Sequence, residues 1–165
     1  MNTTATRSDL LVKMSLMAWD TQNNYLNKLI SSLTDEQLAR EIAPGRNTGV
    51  YLLGHLIAVS DGLLTLLGFG DRLFPEMEEV FLKNPDKSGL SFPPVAELKQ
   101  RLKTVNAKLD SHIQSTDLDG WLSRHMSVSP EDFVKEPHRN KLNVLINRTG
   151  HMANHIGQMN LLKGA

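Results

Sequence analysis

The amino-acid sequence predicts an all-α protein, a four-helix bundle with long connections after the second and third long helices. Three observations predict it. Apolar residues recur at helical spacing in four long stretches. Proline and glycine clusters break the chain between those stretches. No run alternates apolar with polar residues as a half-buried strand does. At 165 residues, the chain reads as a single domain over 1–165.

The first long helix is expected over 8–32, with Ser8 as its cap. Leu11, Ala18, Tyr25 and Leu29 mark its expected inner side, with Leu10, Met14 and Met17 beside them. Thr34 and Gln37 have the spacing of a capping box and announce a short helix, which Pro44-Gly45 ends. The second long helix, over 48–67, is apolar around most of its circumference and belongs at the centre. Pro75, Pro85, Gly89 and Pro93 make 71–92 a long loop, with one helical turn expected at 76–81.

The third long helix follows Pro93-Pro94 and carries one stripe: Val95, Leu98, Leu102, Val105, Leu109 and Ile113. Its remaining faces are charged, which makes it an outer helix with one buried side. A second connection spans 116–139, where Trp121 can pack over the core and Ser129-Pro130 has the pattern of a helix start. Asn140 caps the fourth long helix, expected over 141–163.

Composition narrows the function. Lysine plus arginine equals aspartate plus glutamate at 18 each, so the chain lacks the charge excess that marks nucleic-acid or anionic-membrane binding. Without an apolar leader or a stretch near ~18 continuous apolar residues, a cytoplasmic location is expected and no membrane partner. There is no cysteine, so any metal must be held by nitrogen and oxygen, and a protein thiol nucleophile is excluded.

Three of the six histidines stand out. His151 and His155 are four residues apart, hence on one helix face one turn apart. His55 lies on the central helix beside Tyr51, Val59 and Gly62. A charged imidazolium is costly in apolar surroundings, and a neutral one still needs partners for both nitrogens. A shared divalent ion would supply one such partner to each ring and keep room for water or substrate. The same pattern also suits a tight helix crossing with no ligand, favoured by the small residues Gly54, Gly150 and Gly157. Met152 follows His151, so the His-Glu-x-x-His protease motif is absent. His112, His125 and His138 read as ordinary histidines.

The segments Gly49-Val50-Tyr51-Leu52-Leu53-Gly54-His55-Leu56 and His151-x-x-x-His155-x-Gly157-Gln158 carry a family resemblance. The chain resembles the DinB-like (DinB/YfiT) superfamily of metal-dependent four-helix proteins, over nearly its whole length. The resemblance implies that His55, His151 and His155 are the metal ligands, that the metal is nickel or zinc, and that the protein is a homodimer. It also implies a metal- and thiol-dependent transferase, since characterised relatives use low-molecular-weight thiols such as bacillithiol or mycothiol. The catalytic residues stay unknown. Arg148, one turn before the histidine pair, could clamp the carboxylate of a small-molecule substrate, or be an ordinary surface arginine. Gln158 could orient water or ligand, or support the crossing; Tyr51 could line a pocket or the core. Two other readings stay open: a non-catalytic dimeric helical bundle, and a metal-assisted hydrolase.

Overall fold

The computed structural model describes residues 6–164. The polar N-terminal residues 1–5 and residue 165 lie outside that range. Four long helices carry the fold: α1 (Arg7–Ser32), α3 (Gly49–Leu66), α4 (Val95–Ser115) and α7 (Lys141–Met159). Short helices α2 (Asp35–Leu38), α5 (Leu118–Leu122) and α6 (Pro130–Lys135) sit in the connections, and a 3-10 segment, Asn160–Gly164, continues α7. Among the described residues only two isolated bridges, Glu41 with Thr48 and Arg124 with Asn140, have extended pairing. The protein is all-α, as expected.

Local chemistry explains most boundaries. Thr6, not Ser8, caps α1: its hydroxyl accepts from the Asp9 N–H, and the Asp9 carboxylate accepts from the Thr6 N–H at 2.8 Å. Thr34 and Gln37 close the reciprocal box expected of them. Thr48, Ser129 and Asn140 cap α3, α6 and α7 through their side-chain oxygens.

The helices are tied in pairs. Gly49 meets Leu162, and Gly68 at the other end of α3 meets Met126 and Lys141. Helices α3 and α7 therefore run antiparallel. Along α1, Leu11 and Met14 share a groove with Ile146, while Tyr25 and Lys28 share one with Ile156 and Asn160. Helices α1 and α7 therefore run parallel. Five of the six stripe positions expected on α4 are buried, Leu98, Leu102, Val105, Leu109 and Ile113, and the sixth, Val95 at its start, is partly buried against the core.

Two expectations are corrected. The inner side of α1 is formed by Val12, Trp19, Asn23, Leu26, Leu29 and Ile30. Leu10, Leu11, Met14, Met17 and Tyr25 are instead more than half exposed. The helix has two apolar sides, and the structure turns the one bearing Trp19 inward. Helix α3 reaches a mean hydropathy of 1.5 over 18 residues, enough by length and composition to cross a membrane, contrary to the expectation that no stretch comes near. Some 67% of it is buried inside the protein, as befits a core helix.

The connection after α3 is less loop-like than expected. It holds a π-helical segment, Glu79–Lys83, in place of a regular turn, and it buries Met77 and Phe81. Asp61, a carboxylate 1% exposed in the apolar α3, anchors it by accepting from the N–H groups of Leu73 and Phe74 at 2.8 and 3.0 Å. Arg101 braces it from α4, paired with Glu76 at 2.5 Å and lying over the Phe74 ring at 4.7 Å.

Candidate metal centre

The packing of α3 against α7 brings His55, His151 and His155 together. The His151 Nε2 lies 3.2 Å from the His55 Nε2 and 3.1 Å from the His155 Nε2. One potential ligand atom from each of the three falls within 4.8 Å of the others. All three side chains are half-buried at the seam between the two helices.

The outer nitrogens fix how two of the rings are protonated. The His55 Nδ1–H donates to the Phe81 carbonyl at 2.9 Å, and the His155 Nδ1–H donates to the Gln158 Oε1 at 2.8 Å. Oxygen acceptors of this kind require hydrogen on Nδ1, which leaves the lone pair on Nε2 in a neutral ring. Two lone pairs then converge on the Nε2 of His151. That nitrogen carries at most one hydrogen and can satisfy only one of them. A shared cation satisfies all three at once. Spacings of 3.1 and 3.2 Å also suit the purpose, because nitrogens about 2.0–2.1 Å from one tetrahedral ion sit a little over 3 Å apart. The donor set is nitrogen-only, could hold a divalent metal ion, and matches the support by carbonyl and amide oxygens usual around metal-bound imidazoles.

Electrostatics point the same way. Burial, followed by the nearby His155, His55 and Arg148, lowers the pKa of His151 to about 4. Burial also lowers that of His55, partly offset by the Phe81 carbonyl, with His155 and Arg148 lowering it further. Both rings are therefore neutral near pH 7 and available as ligands. The Nδ1 of His151 is buried with no hydrogen-bond partner among the described residues.

The Phe81 carbonyl is delivered by an unusual piece of backbone. Phe81 sits within the π-helical segment, a form that recurs at functional sites. Its ring occupies the space that a side chain at Gly54 would need: a Cβ there would stand 2.2 Å from the ring. The small residue before His55 thus admits the loop and not the facing helix. Gly150 and Gly157 have open space where a Cβ would point, so the close crossing expected from glycines on α7 is not there.

The remaining candidates separate. Gln158 supports His155 directly. Tyr51 stands behind His55, its ring stacked 6.4 Å away, and its hydroxyl donates to the Asn84 carbonyl at 2.8 Å. Tyr51 is 8% exposed and packs in the core. Arg148 lines a depression of about 590 Å³ whose other walls come from α3 and from both long connections. The depression begins one turn from the histidines on each helix, at Val59 and at Arg148. Of the remaining histidines, His112 stacks flat on Phe69 with centroids 4.9 Å apart, and His125 accepts from the Ser127 N–H at 3.3 Å. Neither belongs to the cluster, nor does His138.

Sequence reasoning missed two contributors. Phe81 acts through its main chain, which no side-chain motif can announce. Asp61 had a signal, being the one acidic residue inside the apolar run of α3. It holds in place the connection that carries Phe81.

A family model described as the DinB superfamily matches residues 18–159. Among curated proteins no sequence matches the chain. The fold is similar to the crystal structure of a conserved protein from Enterococcus faecalis, with a TM-score of 0.59, 16% identity, and 93% of this chain and 97% of that one covered. At that identity the likeness concerns the fold alone.

Proposed function

The chain belongs to the DinB superfamily, and on that premise we propose that His55, His151 and His155 hold one divalent ion, nickel or zinc, in a thiol-dependent transferase. The convergence of three Nε2 atoms, with two of the lone pairs fixed by Nδ1 hydrogen bonds, carries this reading. When bound, such an ion supplies Lewis acidity toward a thiol. The thiol comes from a low-molecular-weight cofactor or substrate, because the chain has no cysteine. The protein's own residues orient the ligand rings: the Phe81 carbonyl fixes His55, and Gln158 fixes His155. The depression beside them has the volume of a small-molecule site.

Metal analysis of freshly purified protein, before and after supplementation with nickel or zinc, tests the site. One ion per chain is expected in the wild type, and retention weaker by more than about a hundredfold in His155→Ala, beyond the loss of any supporting group. A wild type that takes up neither metal overturns the proposal. Given metal, thiol transfer to a panel of electrophilic acceptors with a bacillithiol-like donor is expected. Turnover without added thiol would favour a hydrolase, and silence across the panel a non-catalytic bundle.

A homodimer is part of the same proposal. Leu10, Leu11, Met14, Met17 and Tyr25 on α1 stay exposed beside Ile146 of α7. Exposed apolar side chains of this kind on one side of a helix, left over after core packing, suit an isologous contact with a second copy. Light scattering should give twice the chain mass of 18.4 kDa for the wild type and the monomer mass for Met14→Glu. A monomeric wild type at micromolar concentration would refute the contact.

A further inference from the structure

Arg148 lines the depression that begins one turn along each helix from the histidines, which do not themselves line it. Arg148 is half-buried and has no ion-pair or hydrogen-bond partner among the described residues. Arg72, on the same wall, is already paired with Glu78. No acidic side chain lines the depression. Histidine, unlike a carboxylate or thiolate, brings no negative charge as a ligand, so an ion held by His55, His151 and His155 would keep its full double positive charge. An unpaired guanidinium one turn away adds to it. A site with such an excess of positive charge, partly withdrawn from solvent, is stabilised by an anion that arrives with the ligand.

The walls say what else the ligand carries. Val59, Leu63, Leu66, Leu82 and Met126 present apolar surface, and Ser127 offers a hydroxyl. We propose that Arg148 is the specificity anchor of the site, and that the depression takes a small molecule whose carboxylate rests on the Arg148 guanidinium while its reacting end faces the histidines. The planar fork of arginine matches a carboxylate through two parallel N–H donors, which lysine cannot reproduce. The placement of the reacting end and the charge of the ion rest on the metal-centre reading above; the unpaired Arg148 guanidinium in a depression lined by no acidic side chain does not, and it carries the anion preference by itself.

The test compares two probes of one shape and different charge: 3-mercaptopropionate and its neutral amide. Each is titrated into nickel-loaded protein and followed by thiolate-to-nickel charge-transfer absorption. The wild type is expected to bind the acid at least roughly tenfold tighter than the amide. Arg148→Met should bring the two to parity without weakening the amide, and Arg148→Lys should keep part of the preference. Equal binding of acid and amide by the wild type overturns the proposal, as does a preference that survives in Arg148→Met. Failure to load nickel would instead sink the metal centre. In that event the same probes are titrated into the metal-free protein and read on the Arg148 Nε–H resonance. A saturating shift with the acid alone supports the anchor; no shift with either overturns it.

Discussion

Gly54→Ala is expected to cost about 3 kcal/mol of stability and to weaken metal binding about tenfold to a hundredfold. A Cβ at that position would stand 2.2–2.5 Å from three atoms of the Phe81 ring, a separation that forces the ring or the helix to move. Phe81 is 1% exposed and packed against Tyr51 and Phe92, with ring centroids 5.8 and 5.1 Å away, so it has little room to retreat. Overpacking of this kind typically costs about 1–3 kcal/mol and occasionally more. The metal effect follows from the main chain. Moving Phe81 moves the carbonyl that holds the Nδ1–H of His55, and losing such a support costs about tenfold to a hundredfold in metal affinity. Urea unfolding and competitive metal titration measure the two effects. Gly150→Ala is the control: with open space at its Cβ, it should gain about 1 kcal/mol of stability from helix propensity. If both variants behave alike, the close approach of Phe81 is not what Gly54 is for.

Replacing His151 should have the largest effect on the metal and an opposite effect on acid tolerance. His151 is the central member of the triad, with its Nε2 within 3.2 Å of both others. His151→Leu should reduce metal affinity by well over about a hundredfold, beyond the loss of any supporting group. In the metal-free wild type, the His151 pKa is lowered from 6.5 to about 4, first by burial and then by His155, His55 and Arg148. The unfolded chain therefore binds more protons than the folded one between those values. Stability is full above about pH 6.5 and is lost as pH falls toward 4. His55, lowered in the same direction, adds to the slope. His151→Leu should flatten the decline, since a leucine takes up no proton on unfolding. Denaturant midpoints of the metal-free proteins between pH 4 and 7 read this out. A wild-type midpoint independent of pH across that window would remove the basis for a buried, neutral His151.

The helices were legible in the sequence because their signals are local. A threonine three residues before a backbone donor, a proline in a first turn, or a stripe at helical spacing acts within about one turn of itself. That is why α4 came out as expected, with five of its six stripe residues buried and Val95 at its start partly so. The histidine cluster was legible for a related reason. Two members share one helix face by spacing, and the third sat in the only long helix apolar enough to be central.

The rest depended on which surfaces meet. Helix α1 has apolar residues on more than one side, and periodicity cannot say which side faces the core. The structure buried Trp19 and Leu26 and left Leu11 and Met14 outside. Glycine spacing could not distinguish a crossing from open space either: Gly54 and Gly49 are filled against, while Gly150 and Gly157 are not.

By itself, then, the sequence determined an all-α chain, most of its caps and breaks, and the three histidines that its helices could bring together. Only the tertiary structure decided how two of those rings are protonated, because the acceptors are a main-chain carbonyl 26 residues away and a glutamine amide three residues on. It alone left Arg148 without a partner among the described residues, in a depression lined by no acidic side chain. The physical reason is range. Capping and periodicity act within a few residues of chain, whereas hydrogen-bond acceptors, counterions and packing partners are chosen across space, by whichever segments the core brings into contact.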